Sequence, residues 1–179
     1  EAVVRHDVSL SYKLLRFINS AFFRFSVKVE SIKHALFLLG TKEIKKWVSV
    51  VALSGMGFDK PQELLTLSLT RARFCEILAP RAGLEQRSSD LFMTGLFSVI
   101  DALIDRPMQV VLTELPLDDD IKQALLGKDN ILRDVFGLVL SYERAEWSTT
   151  SVYAQKLRVN EGELPEMFFD SVNWASMTI

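Results

Sequence analysis

Metal-binding and redox side chains are scarce in this sequence: 179 residues hold one cysteine and two histidines. A single cysteine excludes an internal disulfide and any cysteine-based zinc site. Two histidines leave almost no material for multi-histidine metal chemistry. Eight glycines and five prolines are too few for a collagen-like or low-complexity chain. No apolar run is long. The longest charge-free stretch, residues 47–58, falls well short of the roughly 20 residues a spanning helix needs, so no membrane span is expected. The net charge of −2 supplies no overall basic field for a phosphate backbone. The first residues, Glu1 to Asp7, lack the apolar core of a signal peptide and read as the end of a helix cut from a longer chain. The lone Cys75 fits a reducing cytoplasm.

What the chain does have is helical periodicity. Apolar residues recur every three to four positions in almost every segment. Asp7 and Ser9 cap a first helix through Leu10, Leu14 and Phe17. Ser31 caps a second, which stops at Gly40. A third places Ile44, Trp47, Val48 and Val51 inward, with Lys42, Lys45 and Lys46 outward. Pro61 opens a helix lined by Leu64, Leu67, Ala72, Cys75 and Leu78, ended by Pro80 and Gly83. Ser88 and Ser89 begin an apolar helix over residues 90–104. Pro107 starts a short one through Val110, Val111 and Leu112. Asp118, Asp119 and Asp120 sit at the positive end of the next, and Gly127 closes it. Asn130 caps a helix running to Trp147, and two more cover residues 150–157 and 165–174. Strand-like alternation never persists. The expected fold is all-α, a compact bundle of about nine or ten helices. Charge is split along the chain. Residues 1–87 carry a net +6 and residues 88–179 a net −8, which reads as solvated faces or as a bipolar molecule whose basic half meets an acidic partner.

Three segments resemble the HDOD family, the HD-related output domain of bacterial signalling proteins. The first is Asp7 followed by Leu14-Leu15-Arg16 and Asn19-Ser20-Ala21. The second runs from Ile32 through Ala35 to Gly40. The third is Phe92-Met93-Thr94-Gly95-Leu96-Phe97-Ser98-Val99-Ile100-Asp101, where HD hydrolases carry a Gly-Leu-Leu-His-Asp stretch. With Arg71-Ala72-Arg73-Phe74-Cys75-Glu76, the third segment most resembles HDOD domains that follow an EAL domain, the cyclic di-GMP phosphodiesterase module. The resemblance implies one HDOD domain over residues 1–179 with an HD-like helical bundle, excised from a chain with an EAL domain upstream.

The resemblance also implies where a metal would sit, and the residues there are wrong for it. The His-Asp dipeptide falls on Ser98 and Val99. Val99 has no lone pair, and Ser98 is a poor cation ligand. The preceding helix has no histidine around Leu67 to Thr70. His6-Asp7 is an HD dipeptide by letter but lacks a histidine before it, and His34 reads as a surface or packed side chain. Asp101 and Asp105 share a helical face, yet nothing sets their acidities apart as a catalytic pair requires. Ser20 and Ser98 lack triad partners, and no phosphate-binding glycine loop occurs. The expectation is no catalytic residue, no metal and no cofactor.

The candidate interaction residues are Arg16, Asn19, Ser20, Arg71, Arg73, Glu76, Phe168, Phe169 and Trp174. Asn19 and Ser20 also suit a helix end, and Arg73 and Glu76 are spaced to pair with each other. Two apolar regions, residues 22–29 and the C-terminal segment 164–179, suit either core packing or a partner. The expected partner is a protein: the EAL domain in cis, a second copy of the chain or another signalling protein. Two rival readings stay open. One is a residual HD-type nucleotide hydrolase. The other is a nucleic-acid binder using the basic N-terminal half, where residues 32–51 could pass for a helix-turn-helix with Lys42, Lys45 and Lys46 on its second helix.

Overall fold

A computed structural model describes residues 45, 46, 48–50, 53 and 60–178. The chain divides into two compact units, one of Glu1–Ala52 with Thr178 and the other of Leu53–Met177 with Ile179. The calls on His6, Arg16, Asn19, Ser20, residues 22–29, His34 and Trp47 lie outside the described residues. In the first unit, residues 45, 46 and 48–50 are helical, with Lys45 and Val48 exposed. Lys46 and Val50, one turn apart, are the buried ones. The helical face is therefore turned from the expected one: Val48 is out and Lys46 is in. A lysine stem is apolar enough to line such a face.

The protein is all-α, with no strand among the described residues. Among the described residues after Pro61 lie eight α-helices: α1 (Gln62–Arg81), α2 (Ser88–Leu96), α3 (Ile100–Ile104), α4 (Met108–Glu114), α5 (Asp119–Leu125), α6 (Ile131–Glu143), α7 (Trp147–Leu157) and α8 (Leu164–Thr178). Three 3-10 turns, Glu85–Arg87, Phe97–Val99 and Glu161–Glu163, join them. Pro61 stands before the first residue of α1, as expected. The Asn130 side chain accepts from the Arg133 amide and so caps α6.

The helix ends close in one geometry, with and without glycine. At Gly83 and Gly127, both at positive φ, the next amide reaches back five residues, Leu84 to the Ala79 carbonyl and Lys128 to the Gln123 carbonyl. This is the glycine-closed helix end that sequence signals capture. The same pair of bonds closes α6 and α7, but with Ala145 and Arg158 in the left-handed position, at φ of 55° and 57°. No glycine marks the end of α6, and the helix stops at Glu143 rather than at Trp147 as its periodicity predicts; Trp147 begins α7. The expected helix over residues 90–104 is likewise broken, by the Phe97–Val99 turn.

The core gathers Phe74, Cys75 and Leu78 of α1, Leu91 of α2, Leu132, Val135, Leu138 and Val139 of α6, Ala154 of α7 and Leu164 and Met167 of α8. Each large side chain buried there contributes about 1.5–3 kcal/mol relative to exposure. Phe74, with no exposed surface, meets Tyr142 and Phe168 edge-on at 5.7 and 5.6 Å between ring centres. α1 and α2 approach most closely at Gly95. A Cβ there would lie 2.5 Å from the Ala72 nitrogen and from the Arg71 carbonyl. Only glycine lets the two backbones meet at that crossing. Ser68 fixes it further by donating to the Leu96 carbonyl in the buried interior.

Candidate functional site

The close crossing at Gly95 brings the middle of α1 against the Phe97–Val99 turn. Ser98 is half-buried in that turn and Val99 is buried. Facing them is Arg71, whose side chain is only 11% exposed. Its guanidinium donates from Nε and Nη2 to the two carboxylate oxygens of Glu143, at 2.8 and 2.6 Å. From Nη1 it donates to the Ser98 hydroxyl at 3.3 Å. One cation thus links α1, the Phe97–Val99 turn and the last residue of α6. The two parallel bonds to Glu143 use the planar fork that distinguishes arginine from lysine.

This geometry decides what the Ser98 position can do. Val99 offers no donor atom. The Ser98 oxygen already accepts from a positive charge. Glu143, which shares the Arg71 guanidinium with Ser98, is engaged by both oxygens. A divalent cation placed at Ser98 would meet a fixed guanidinium and one neutral oxygen ligand. The residues present do not fit the metal that the HD resemblance implies there. Among the described residues no cluster of three histidines, cysteines or carboxylates is arranged to hold a metal.

One turn along α1, Cys75 is fully buried. Burial pushes its thiol well above the ordinary range, against a smaller opposing pull from the Arg71 charge. A thiol so held is a core side chain rather than a nucleophile. Asp105 closes α3 in the left-handed conformation, exposed and paired with Lys60, so it does not form a carboxylate pair with Asp101.

The sequence candidates fall into two groups. Arg71 turns inward to Glu143 and Ser98, and Trp174 is buried against Phe92 with ring centres 6.0 Å apart. Both are little exposed, Arg71 at 11% of its side chain and Trp174 at 8%. Arg73 pairs with Glu76, as their spacing suggests. Phe168 is half-buried on Phe74 and Tyr142, whereas Phe169 is 65% exposed. The C-terminal segment is thus split: Leu164, Met167, Ser171, Trp174 and Ala175 are buried, and Phe169 and Met177 face outward. Glu163, in the turn before α8, pairs with Arg81 of α1.

Glu143 was not singled out from the sequence. The signal was its register: it lies four residues after Val139, in line with the buried stripe of α6. A carboxylate at a buried register requires a partner, but nothing local identifies Arg71, 72 positions earlier.

Comparison with known proteins agrees with this architecture. The HDOD-domain family model matches residues 1–106. An uncharacterized protein, YuxH of Bacillus subtilis, is 37% identical over 174 residues, which is 96% of this chain and 42% of that protein. The cyclic di-GMP phosphodiesterase CdgJ of Vibrio cholerae is 34% identical over 175 residues, 98% of this chain and 40% of that protein. The chain spans about two fifths of the length of these relatives. No solved structure matches. With its family model covering more than half the sequence, the chain belongs to the HDOD domain family.

Proposed function

We propose that this chain is a non-catalytic output module of cyclic di-GMP signalling, acting through protein contacts. The single observation that carries the reading is the Arg71 guanidinium lodged between Ser98 and Glu143. It puts a permanent positive charge where HD-type hydrolysis requires an open metal position. The similarity to CdgJ supports a place in cyclic di-GMP signalling. The greater length of both relatives supports a larger protein in which an EAL-type phosphodiesterase domain is the partner in cis. In such a protein the helical domain biases the partner through a surface that differs between two states. Phe169, 65% exposed, is a contact position for this.

Metal analysis of the purified chain, with a phosphatase and phosphodiesterase screen, tests the reading. We expect neither stoichiometric metal nor turnover. We also expect the double variant Ser98→His, Val99→Asp to bind no metal tightly by calorimetry, because Arg71 remains and the first histidine is missing. Stoichiometric metal at Ser98 accompanied by turnover would overturn the proposal.

A further inference from the structure

We propose that the outer face of α8 docks a cationic amphipathic helix of a partner protein, with Phe169 and Met177 as apolar anchors and Glu166 and Asp170 as acceptors of positive charge. The proposal rests on the reading of the domain as a module that works through protein contacts, and it names the surface and the chemistry of the partner.

α8 has a covered side and an open side. Leu164, Met167, Ser171, Trp174 and Ala175 are buried. At 3.6 residues per turn, Glu166, Phe169, Asp170, Asn173 and Met177 share a separate arc of about 100°. Phe169 is 65% exposed and Met177 82%. Glu166 and Asp170 are exposed, and Asn173 is half-buried between the two anchors. Phe169 and Met177 stand about 12 Å apart along the axis, roughly two turns. An aromatic ring and a methionine left uncovered on one stripe, with polar groups beside them, have the composition of an interface centre and its rim.

The charge on this face has one sign and no local use. Residues 159–179 hold four carboxylates and no lysine, arginine or histidine. Glu163 is taken up by Arg81, and Glu161 accepts from Ser151. Among the described residues, Glu166 and Asp170 make no ion pair. Glu166, in the first turn, is favoured by the positive end of the helix. Asp170 lies one turn further in, beyond that effect, and stands four residues from Glu166, where like charges repel. Lysines or arginines one turn apart on a partner helix match the two carboxylates, which are about 6 Å apart along the axis. The apolar side of the same helix covers Phe169 and Met177, as in helix-on-groove recognition.

The same charges exclude other occupants. Nucleic acid and an anionic lipid surface present phosphates, which Glu166 and Asp170 repel. A second copy packed through this face brings four carboxylates into one contact. Two carboxylates, with no third metal ligand grouped near them among the described residues, do not make a calcium or magnesium site.

Fluorescence anisotropy of the 179-residue chain with a labelled amphipathic peptide of leucine and lysine tests this. We expect a dissociation constant of about 10–300 µM, the weak end of specific contacts, because one helix face is small. A leucine–glutamine peptide and a serine–lysine peptide should each bind at least about tenfold more weakly, since one lacks the charge and the other the apolar side. Phe169→Ala should weaken binding of the leucine–lysine peptide about tenfold. Glu166→Lys with Asp170→Lys should weaken it about 100-fold, and both variants should keep the wild-type circular dichroism spectrum because the positions are exposed. Asp118→Lys with Asp119→Lys, the same change of charge at the start of α5, should leave binding within about twofold. No binding by the leucine–lysine peptide, equal binding by either control peptide, or no effect of Phe169→Ala would overturn the proposal. An equal loss from the Asp118, Asp119 variant would overturn it too, by showing attraction to net charge alone. Each of these failures leaves the metal and turnover tests of the functional reading unaffected.

Discussion

Removing Arg71 tests the central contact of the domain most directly. Arg71→Ala leaves the Glu143 carboxylate, 23% exposed, without its cation and the Ser98 hydroxyl without its donor. Breaking a fully buried ion pair costs about 3–5 kcal/mol. The exposure of Glu143 lets water recover part of that, so we expect roughly 2–3 kcal/mol. For a chain of this length that lowers the melting temperature by roughly 4–12 °C. Glu143→Ala should cost a similar amount. The double variant Arg71→Met, Glu143→Leu should return to within about 1 kcal/mol of the wild type, because two apolar side chains need no partner. Arg71→Lys should recover only part of the loss, since an ammonium cannot make the two parallel bonds. Urea denaturation followed by far-ultraviolet circular dichroism measures each variant. Single-variant losses under about 0.5 kcal/mol, or losses that simply add in the Arg71→Ala, Glu143→Ala double variant, would refute the coupling drawn here.

Gly95→Ala should destabilise by at least about 1–3 kcal/mol, the range for overpacking, because the new Cβ meets Arg71 and Ala72 backbone atoms at 2.5 Å; an unchanged urea midpoint would refute the close crossing. Ala145→Gly should stabilise by up to about 1 kcal/mol, since the left-handed conformation at φ 55° strains a side chain and not glycine; a loss of stability would contradict the helix end described here. Cys75 should resist a disulfide-exchange reagent at pH 8 in the folded protein and react fully in urea, because burial raises its thiol out of the titrating range; rapid native-state labelling would show that α1 opens at this point.

Several of these features were legible in the residues alone and others were not. The all-α class, the start of α1 after Pro61, the cap at Asn130 and the stops at Gly83 and Gly127 are local. They depend on periodicity and on residues whose backbone preference acts within one turn. The weak donor set at Ser98 and Val99 is local in the same sense, because a valine has no lone pair in any fold and a neutral serine hydroxyl is a poor cation ligand. The sequence by itself therefore determined the helical class and the family resemblance. Tertiary structure decided the rest. Ala145 and Arg158 end helices without the residue that usually marks such ends, held there by the packing of the helices on either side. Arg71 reads as a surface residue until the fold carries Glu143 to it across 72 positions. Trp174 reads as contact or core with equal ease, because an amphipathic helix shows that it has an apolar face but not what covers it. Long-range pairing is settled by which faces the whole chain can bury at once, and that sum is not written in any one segment.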